Sequence, residues 1–130
     1  SKNISNLDKS IATKIAKNLD LVGLLTIEVF ELKNQQLLVN EIAPRPHNSG
    51  HWTMDGCITD QFEQATRAAL GINLGSVKRI FDIEMKNLIG ADIALVANYS
   101  KKSDYKIHLY GKKEIRKGRK MGHVNKIIKP

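Results

Sequence analysis

A β-hairpin is predicted by three consecutive stretches: VGLLTIEVFEL (residues 22–32), KNQQ (33–36) and LLVNEI (37–42). The first and third are rich in β-branched and aliphatic residues, whereas the second is polar and favours a turn. If Asn34 and Gln35 form a two-residue turn, the numbers of paired residues sum to 69, and Glu28 lies opposite Glu41. Directly opposed side chains share one face of a sheet, so these two carboxylates would meet there.

The predicted carboxylate pair needs something to offset its own repulsion, such as a cation, a shared proton or a basic neighbour. Mg²⁺ is a candidate because it takes one or two protein carboxylates together with substrate phosphates. A solvated hairpin face, or a pair neutralised by Lys and Arg, is the alternative. Asn40, next to Glu41, adds an amide that can both donate and accept.

The segment after the hairpin, APRPHNSGHWTMDG (residues 43–56), is predicted to be a long loop. Two prolines two residues apart exclude a helix and a central strand there. The loop contains one planar fork for anions, two imidazoles for proton transfer and two neutral donors. These candidate site residues are Arg45, His47, Asn48, Ser49 and His51. A carboxylate pair followed by anion donors is the combination that phosphoryl-transfer chemistry requires.

Hydrophobic periodicity predicts two helices and three more strands along the rest of the chain. We expect helices over residues 6–19 and 59–70, and strands over 80–89, 106–110 and 119–128. Residues 111–118 form a predicted basic turn. The pattern indicates an α+β chain with a boundary near residue 76.

Composition narrows the class of protein and of partner. The 130 residues contain a single cysteine, Cys57, which excludes an internal disulfide and fits a reducing cytoplasm. The sequence has no apolar run near the 18 residues of a membrane span. Residues 1–77 have a net charge of −1 and residues 78–130 a net charge of +9. The basic half indicates a nucleic acid, an acidic membrane surface or a phosphorylated metabolite, unless it is only a solvated surface.

Five stretches of the chain resemble the carboxyaminoimidazole ribonucleotide synthetases of the ATP-grasp superfamily. They are VGLLTIE (22–28), NEIAPRPHNSGHW (40–52), QFE (61–63), NLIG (87–90) and GRKMGH (118–123). Glu28 with Asn40 and Glu41 alone would indicate only the superfamily. The run from Pro44 to Trp52 and the stretch 118–123 indicate this member, and the similarity covers nearly all 130 residues.

The resemblance implies an α+β fold made of the C-terminal half of an ATP-grasp domain, an antiparallel sheet with helices, followed by a small β-rich C-terminal domain. Their expected ranges are 1–76 and 77–130. The family's N-terminal domain and nucleotide lid match nothing here, and the chain starts at Ser1 without an initiator Met. We therefore expect a fragment or a processed chain whose partner is the N-terminal part of the same enzyme. The resemblance also implies a cytoplasmic homodimer.

The chemistry implied by the resemblance is the ATP-dependent carboxylation of aminoimidazole ribonucleotide. ATP phosphorylates bicarbonate to carboxyphosphate, and the amine of the ribonucleotide captures the activated carboxyl group. The matching residues are Glu28 and Glu41 for Mg²⁺, Asn40 and Glu41 for ATP, Arg45 and His47 for catalysis, and Arg45, His47, Asn48, Ser49, Lys112 and Arg119 for substrate. Lys113 is the alternative to Lys112.

Two other functions remain open at this point. One is another purine-pathway ATP-grasp enzyme, such as the formate-dependent glycinamide ribonucleotide transformylase, which the loop from Arg45 to Trp52 argues against. The other is a basic nucleic-acid-binding module. Only Tyr99, Tyr105 and Tyr110 could stack bases among the basic residues, and no RNA-binding signature is present. We therefore expect neither a nucleic-acid nor a membrane partner. Because the N-terminal domain and the nucleotide lid are not matched, we also expect no ligase activity from this chain alone.

Overall fold

The computed structural model describes residues 6–34 and 36–129, which divide into two compact units. The first unit contains the described residues up to Gly50 together with Gln61–Gly75. The second contains His51–Asp60 and the described residues from Ser76 onward. The assignment of 1–76 and 77–130 as domains remains a prediction. Within the described residues, no helix combines the length and the apolar content that crossing a bilayer requires.

The first unit is built from two helices and a two-stranded antiparallel sheet. Helix α1 spans Asn6–Asn18, strands β1 and β2 span Thr26–Glu31 and Leu37–Ala43, and helix α3 spans Gln61–Ala69. Helix α3 ends as its sequence predicts. Gly71 has a φ of 66°, and the Ile72 N–H donates to the Arg67 carbonyl at 3.1 Å. A left-handed glycine with this 6→1 bond is a common helix terminator.

The register of the hairpin confirms that Glu28 pairs with Glu41, but the predicted turn is wrong by one residue. The Leu32 N–H donates to the Gln36 carbonyl at 2.9 Å, so Lys33 does not pair with Gln36 as the two-residue turn requires; the predicted turn residue Gln35 lies outside the described residues. Paired numbers therefore sum to 68 next to the turn. The register shifts between Glu28 and Val29. Val29 pairs with Val39 and Glu28 pairs with Glu41, so Asn40 is the extra residue of a β-bulge. The bulge restores the sum of 69 at the two glutamates.

The second unit is a three-stranded antiparallel sheet with short helical segments. Strands β3, β4 and β5 span Asp82–Ile89, Tyr105–Leu109 and Lys120–Lys129, in the order β3-β5-β4. Residues 121–125 are buried because β5 is the central strand. Helices α2 and α4 span Thr53–Gly56 and Val96–Tyr99, and 3₁₀ turns span Asn48–Gly50, in the first unit, and Gly90–Leu95.

Three local predictions need correction. The segment 43–56 is not a loop throughout, because a 3₁₀ turn and α2 follow the second proline, where nothing opposes helical geometry. Residues 90–99 are helical, although no helix was predicted there. Strand β1 begins at Thr26 rather than at Val22, since Gly23 has a φ of 140°, which an extended strand does not adopt.

Candidate functional site

The carboxylate pair lies on the face of the hairpin that α1 leaves open. Ile27 and Val29 alternate with Glu28, so they point to the opposite face. There they line an apolar pocket of about 160 Å³ together with Ile11 and Ala12 of α1. Glu28 and Glu41 are directly opposed and partly exposed, and their carboxylates are therefore available to a ligand.

The bulge residue Asn40 and the loop residue Arg45 both reach this pair. The Asn40 amide nitrogen lies 3.5 Å from Glu28 Oε2. Arg45 Nη2 lies 3.7 Å from Glu41 Oε1, and its other terminal nitrogen donates to the Pro46 carbonyl at 3.0 Å. A bulge redirects a side chain next to a site, which explains how Asn40 and Glu41 both serve one face although they are adjacent in sequence.

His47 contacts both carboxylates. Its Nδ1 lies 3.6 Å from Glu28 Oε1, and its Nε2 lies 3.9 Å from Glu41 Oε1. Ser49 also contacts Nδ1: its hydroxyl oxygen lies 2.8 Å from this nitrogen, and its backbone N–H donates to it at 3.3 Å. Since Nδ1 accepts that backbone bond, we assign the ring proton to Nε2, which faces Glu41.

Gln61 fixes the backbone of His47 through two hydrogen bonds. The His47 N–H donates to Gln61 Oε1 and Gln61 Nε2 donates to the His47 carbonyl, both at 2.9 Å. The Gln61 side chain is only 6% exposed, so both bonds are shielded from water. A Cβ on Gly50 would lie 2.4 Å from Gln61 Oε1, so a larger residue there would displace the Gln61 amide from its hydrogen bonds to His47. The conformation of the loop at His47 is therefore stabilised by the first residue of helix α3.

Asn48 lies in the same loop with a buried amide oxygen. Within the described part of the chain, this Oδ1 has no hydrogen-bond partner. Buried acceptors are normally satisfied, and an exception calls for an explanation such as a ligand donor or an ordered water.

The donor set of the pair suits a hard divalent cation. Glu28 and Glu41 present carboxylate oxygens, which Mg²⁺ prefers over nitrogen or sulfur, whereas Asn40 turns its amide nitrogen toward Glu28. Among residues 6–34 and 36–129, no three or more His, Cys, Asp or Glu side chains form a metal-binding group. A magnesium ion here would rest on two carboxylates, as it does where phosphates complete the shell.

Lys112 and Arg119, the predicted phosphate ligands, lie at the neck of the basic turn in the second unit. The Tyr110 N–H donates to the Met121 carbonyl at 3.0 Å, and Lys112 Nζ donates to the Lys120 carbonyl at 2.7 Å. The two ends of the turn are thereby held together, as its sequence predicts. The Gly90 N–H fixes the Arg119 carbonyl at 2.8 Å from the neighbouring 3₁₀ turn.

The second unit contains a stack of three histidines, of which His123 is buried and His51 and His108 are half-buried. The His123 ring lies between those of His51 and His108, with centroid distances of 4.8 and 4.5 Å. His108 Nε2 lies 2.7 Å from Asp55 Oδ2, and the same oxygen accepts a bond from the Asn125 amide at 2.7 Å. His123 is 1% exposed, and its Nδ1 lies 2.9 Å from the Tyr110 hydroxyl.

Acidification is expected to destabilise the second unit because His123 is buried as a neutral imidazole. Burial, reinforced by His108 and His51, lowers the pKa of His123 from 6.5 to about 4. Below pH 6.5 the unfolded chain binds a proton that the folded chain does not, so the free energy of unfolding falls as the pH drops toward 4. The contribution of His123 to this loss is about 3 kcal/mol at pH 4.

Urea unfolding at pH 7 and pH 4 measures this effect. The chain has a single tryptophan, Trp52, and it lies in the second unit, so its fluorescence reports that unit. The matched control is His123→Gln, which keeps a polar side chain but cannot take up the proton. An equal loss of stability in the wild-type and variant proteins would show that His123 is not the acid-sensitive group.

Sequence reasoning missed the residues that support the His47 loop in the first unit and the basic turn in the second. Gln61 belongs to a stretch that the resemblance highlighted, but no role could be assigned to it. His108 and His123 lie in strands that were predicted, yet their stacking depends on the pairing of β4 with β5, where they are direct partners. The sequence offered one clue to this cluster, namely that several polar and aromatic residues lie within or before the predicted strands: His51, Asp55, His108, Tyr110 and His123.

Two family models match the chain. The model of the ATP-grasp domain matches residues 1–62. The model of the phosphoribosylaminoimidazole carboxylase C-terminal domain matches residues 84–129.

Individual relatives resemble the chain over nearly its whole length. The N5-carboxyaminoimidazole ribonucleotide synthase of Bacillus subtilis is 45% identical over 130 residues, which are 99% of this chain and 34% of the relative. A synthetase solved as its ADP complex has a TM-score of 0.90 at 38% identity, over 98% of this chain and 34% of that one. The Aspergillus clavatus synthase, solved with ADP and 5-aminoimidazole ribonucleotide, has a TM-score of 0.82 at 30% identity, over 98% and 37%. The chain thus spans about a third of the length of these proteins.

Proposed function

The chain belongs to the carboxyaminoimidazole ribonucleotide synthase family, and on that premise we propose that it supplies the magnesium-binding and ribonucleotide-binding residues for the ATP-dependent carboxylation of aminoimidazole ribonucleotide. The chain spans about a third of its relatives, so the remaining two thirds of such an enzyme are its partner in this proposal. A homodimer in the cytoplasm, with bicarbonate as the carboxyl source, belongs to the same proposal.

The observation that carries the proposal is the convergence on one carboxylate pair. Arg45 Nη2 and His47 Nε2 both lie within 4 Å of Glu41 Oε1, and His47 Nδ1 lies within 4 Å of Glu28. An anion-binding fork and an imidazole therefore border the cation-binding carboxylates. Phosphoryl transfer needs this neighbourhood, because its catalysis is mostly positioning and charge stabilisation.

Glu28 and Glu41 are the residues that would hold Mg²⁺. The ion neutralises the charge of the ATP phosphates when it is bound. Asn40 extends the same face and would donate its amide to a phosphate oxygen, in the way that neutral donors orient anions. Its placement in the bulge brings this donor next to the Glu28 carboxylate.

The loop residues would bind bicarbonate and the reacting amine. Arg45 is a planar fork that matches the geometry of bicarbonate. The amine of the ribonucleotide is an N–H donor, and the buried Asn48 Oδ1 is an acceptor without a partner in the described residues. As this amine attacks the carboxyl carbon of carboxyphosphate, the bond to the phosphate oxygen breaks and phosphate leaves, while the amine loses a proton that His47 would accept at Nδ1. Ser49 keeps the ring in place for that transfer.

Lys112 and Arg119 would bind the phosphate of the ribonucleotide. An ammonium point charge and a guanidinium fork suit one phosphate monoester. The hydrogen bonds at the neck of the basic turn support the proposal, because they hold together the two ends of the turn, where Lys112 and Arg119 lie.

A chimeric enzyme tests the proposal. Residues 1–130 would replace the matching stretch of the Bacillus subtilis relative, which aligns with 99% of this chain. We expect ADP release that requires ATP, bicarbonate and aminoimidazole ribonucleotide together, because the loop and the carboxylate pair are then complete. The control is the same chimera with Arg45→Met. ADP release that is independent of bicarbonate or of the ribonucleotide would contradict the proposed reaction.

A further inference from the structure

Tyr110 connects the buried histidine stack to the candidate phosphate ligand Lys112. Its hydroxyl lies 2.9 Å from His123 Nδ1, and its ring centroid lies 5.4 Å from Lys112 Nζ. The Tyr110 backbone N–H also donates to the Met121 carbonyl at 3.0 Å. One residue thus contacts both the core of the second unit and the cation at its surface.

The core end of this connection is held from several sides. His123 is 1% exposed and is stacked between His51 and His108, with interplanar angles of 23° and 15°. Asp55 holds His108 at 2.7 Å. A ring packed in this way has little freedom, so the hydroxyl bonded to it is held in one position. Burial also raises the pKa of Tyr110, which keeps the hydroxyl protonated.

The surface end is a lysine whose side chain would otherwise be free to rotate. Lysine has four flexible carbons, and ordering them for a ligand costs conformational entropy. Lys112 Nζ donates to the Lys120 carbonyl at 2.7 Å and lies within the 6 Å of the Tyr110 centroid at which cation–π attraction is effective. Both contacts leave the ammonium at the neck of the turn, and the side chain remains exposed to solvent.

We propose that Tyr110 is a positioning residue for phosphate binding: its ring, anchored by His123, pre-orders the Lys112 ammonium to receive a phosphate monoester. The inference rests on the proposed role of Lys112 and Arg119 as phosphate ligands. Tyr110 itself need not touch the substrate, because its effect passes through Lys112. Pre-ordering increases affinity by reducing the entropy that binding would otherwise cost.

The test is the binding of ribose 5-phosphate to the 130-residue chain, followed by NMR chemical shifts. Tyr110→Leu removes the ring and should weaken binding about two- to fivefold, the range expected from one exposed cation–π contact. Tyr110→Phe keeps the ring but loses its anchor, and should lie between Tyr110→Leu and the wild type. Tyr99→Leu is the matched control, since Tyr99 stacks on Tyr105 instead, and it should bind as the wild type does.

A double-mutant cycle distinguishes positioning from a general effect on the fold. In the Lys112→Met background, Tyr110→Leu should weaken binding no further, because the group that it positions is gone. Equal losses in both backgrounds would overturn the inference and leave the phosphate site standing. Binding that Lys112→Met and Arg119→Met do not change would overturn the phosphate site and the inference together. If Tyr110→Leu does not fold, as judged by Trp52 fluorescence, the cycle is run with Tyr110→Phe, for which the same outcomes decide.

Discussion

Residues 1–130, assayed as the sole protein, are expected to release no ADP above background from ATP, bicarbonate and aminoimidazole ribonucleotide. Glu28 and Glu41 would hold Mg²⁺ on one side of the nucleotide only. Two carboxylates and water bind this ion weakly until substrate phosphates complete its shell. Positioning alone can contribute about 7–11 kcal/mol to catalysis, and about two thirds of the length of the relatives lies outside the stretch that this chain spans.

The coupled ADP-release assay needs two controls to be decisive. The intact Bacillus subtilis relative, in the same mixture, shows that the substrates and coupling enzymes work. Before the assay, Trp52 fluorescence confirms the fold of the second unit, and the dispersion of the backbone amide NMR signals of Glu28 and Glu41 confirms that of the first. Turnover close to that of the relative would mean that this third of the length contains a complete nucleotide site, which would contradict the proposed division of labour.

The pairing of the two glutamates was predicted from an assumed two-residue turn, and the alternation of β-strand side chains then placed both carboxylates on one face. Polar and apolar residues on either side of Glu28 and Glu41 fix which face each occupies. The turn could not be predicted as well, since KNQQ contains no glycine to specify a turn type. The two-residue turn was wrong, and the bulge at Asn40 compensated for the error by one residue. Bulges have no reliable sequence signal. The Glu28–Glu41 pair was therefore predicted correctly, although the turn from which it was derived was wrong.

The strands of the second unit were predicted within a few residues, but their order was not. Nothing local indicates that β5, the last strand, lies between β3 and β4. This order makes His108 and His123 direct partners, and it buries His123 and Asn125 at the centre of the sheet. A polar cluster assembled from strands β4 and β5, helix α2 and the turn that contains His51 depends on tertiary pairing, which periodicity along one segment does not contain.

Two further features depended on contacts that sequence patterns do not report. The pair of hydrogen bonds between the Gln61 side-chain amide and the His47 backbone joins residues that are 14 positions apart in the sequence. The helical residues 90–99 form a short 3₁₀ turn and a single α-turn, lengths at which local propensity is a weak guide. The chemistry of the site was therefore predictable from residue types, whereas its support was visible only in three dimensions.

Replacement of either glutamate should abolish divalent-cation binding at the hairpin. The two carboxylates supply all of the charge on the oxygen donors assigned to this site, and a glutamine at one of them leaves a single weak ligand. Mn²⁺ can replace Mg²⁺ as a paramagnetic probe, because oxygen ligands suit both ions. Glu31→Gln is the matched control, since Glu31 lies on β1 three residues farther along and pairs with Leu37.

The decisive measurement is the NMR line broadening caused by substoichiometric Mn²⁺ on the 130-residue chain. The proposed site predicts broadening centred on the backbone amides of Glu28, Asn40 and Glu41. It also predicts that Glu28→Gln and Glu41→Gln each remove this broadening, whereas Glu31→Gln leaves it in place. Broadening that persists at the hairpin in both variants, or that is centred away from these three residues in the wild-type chain, would contradict the assignment of Glu28 and Glu41 as the magnesium ligands.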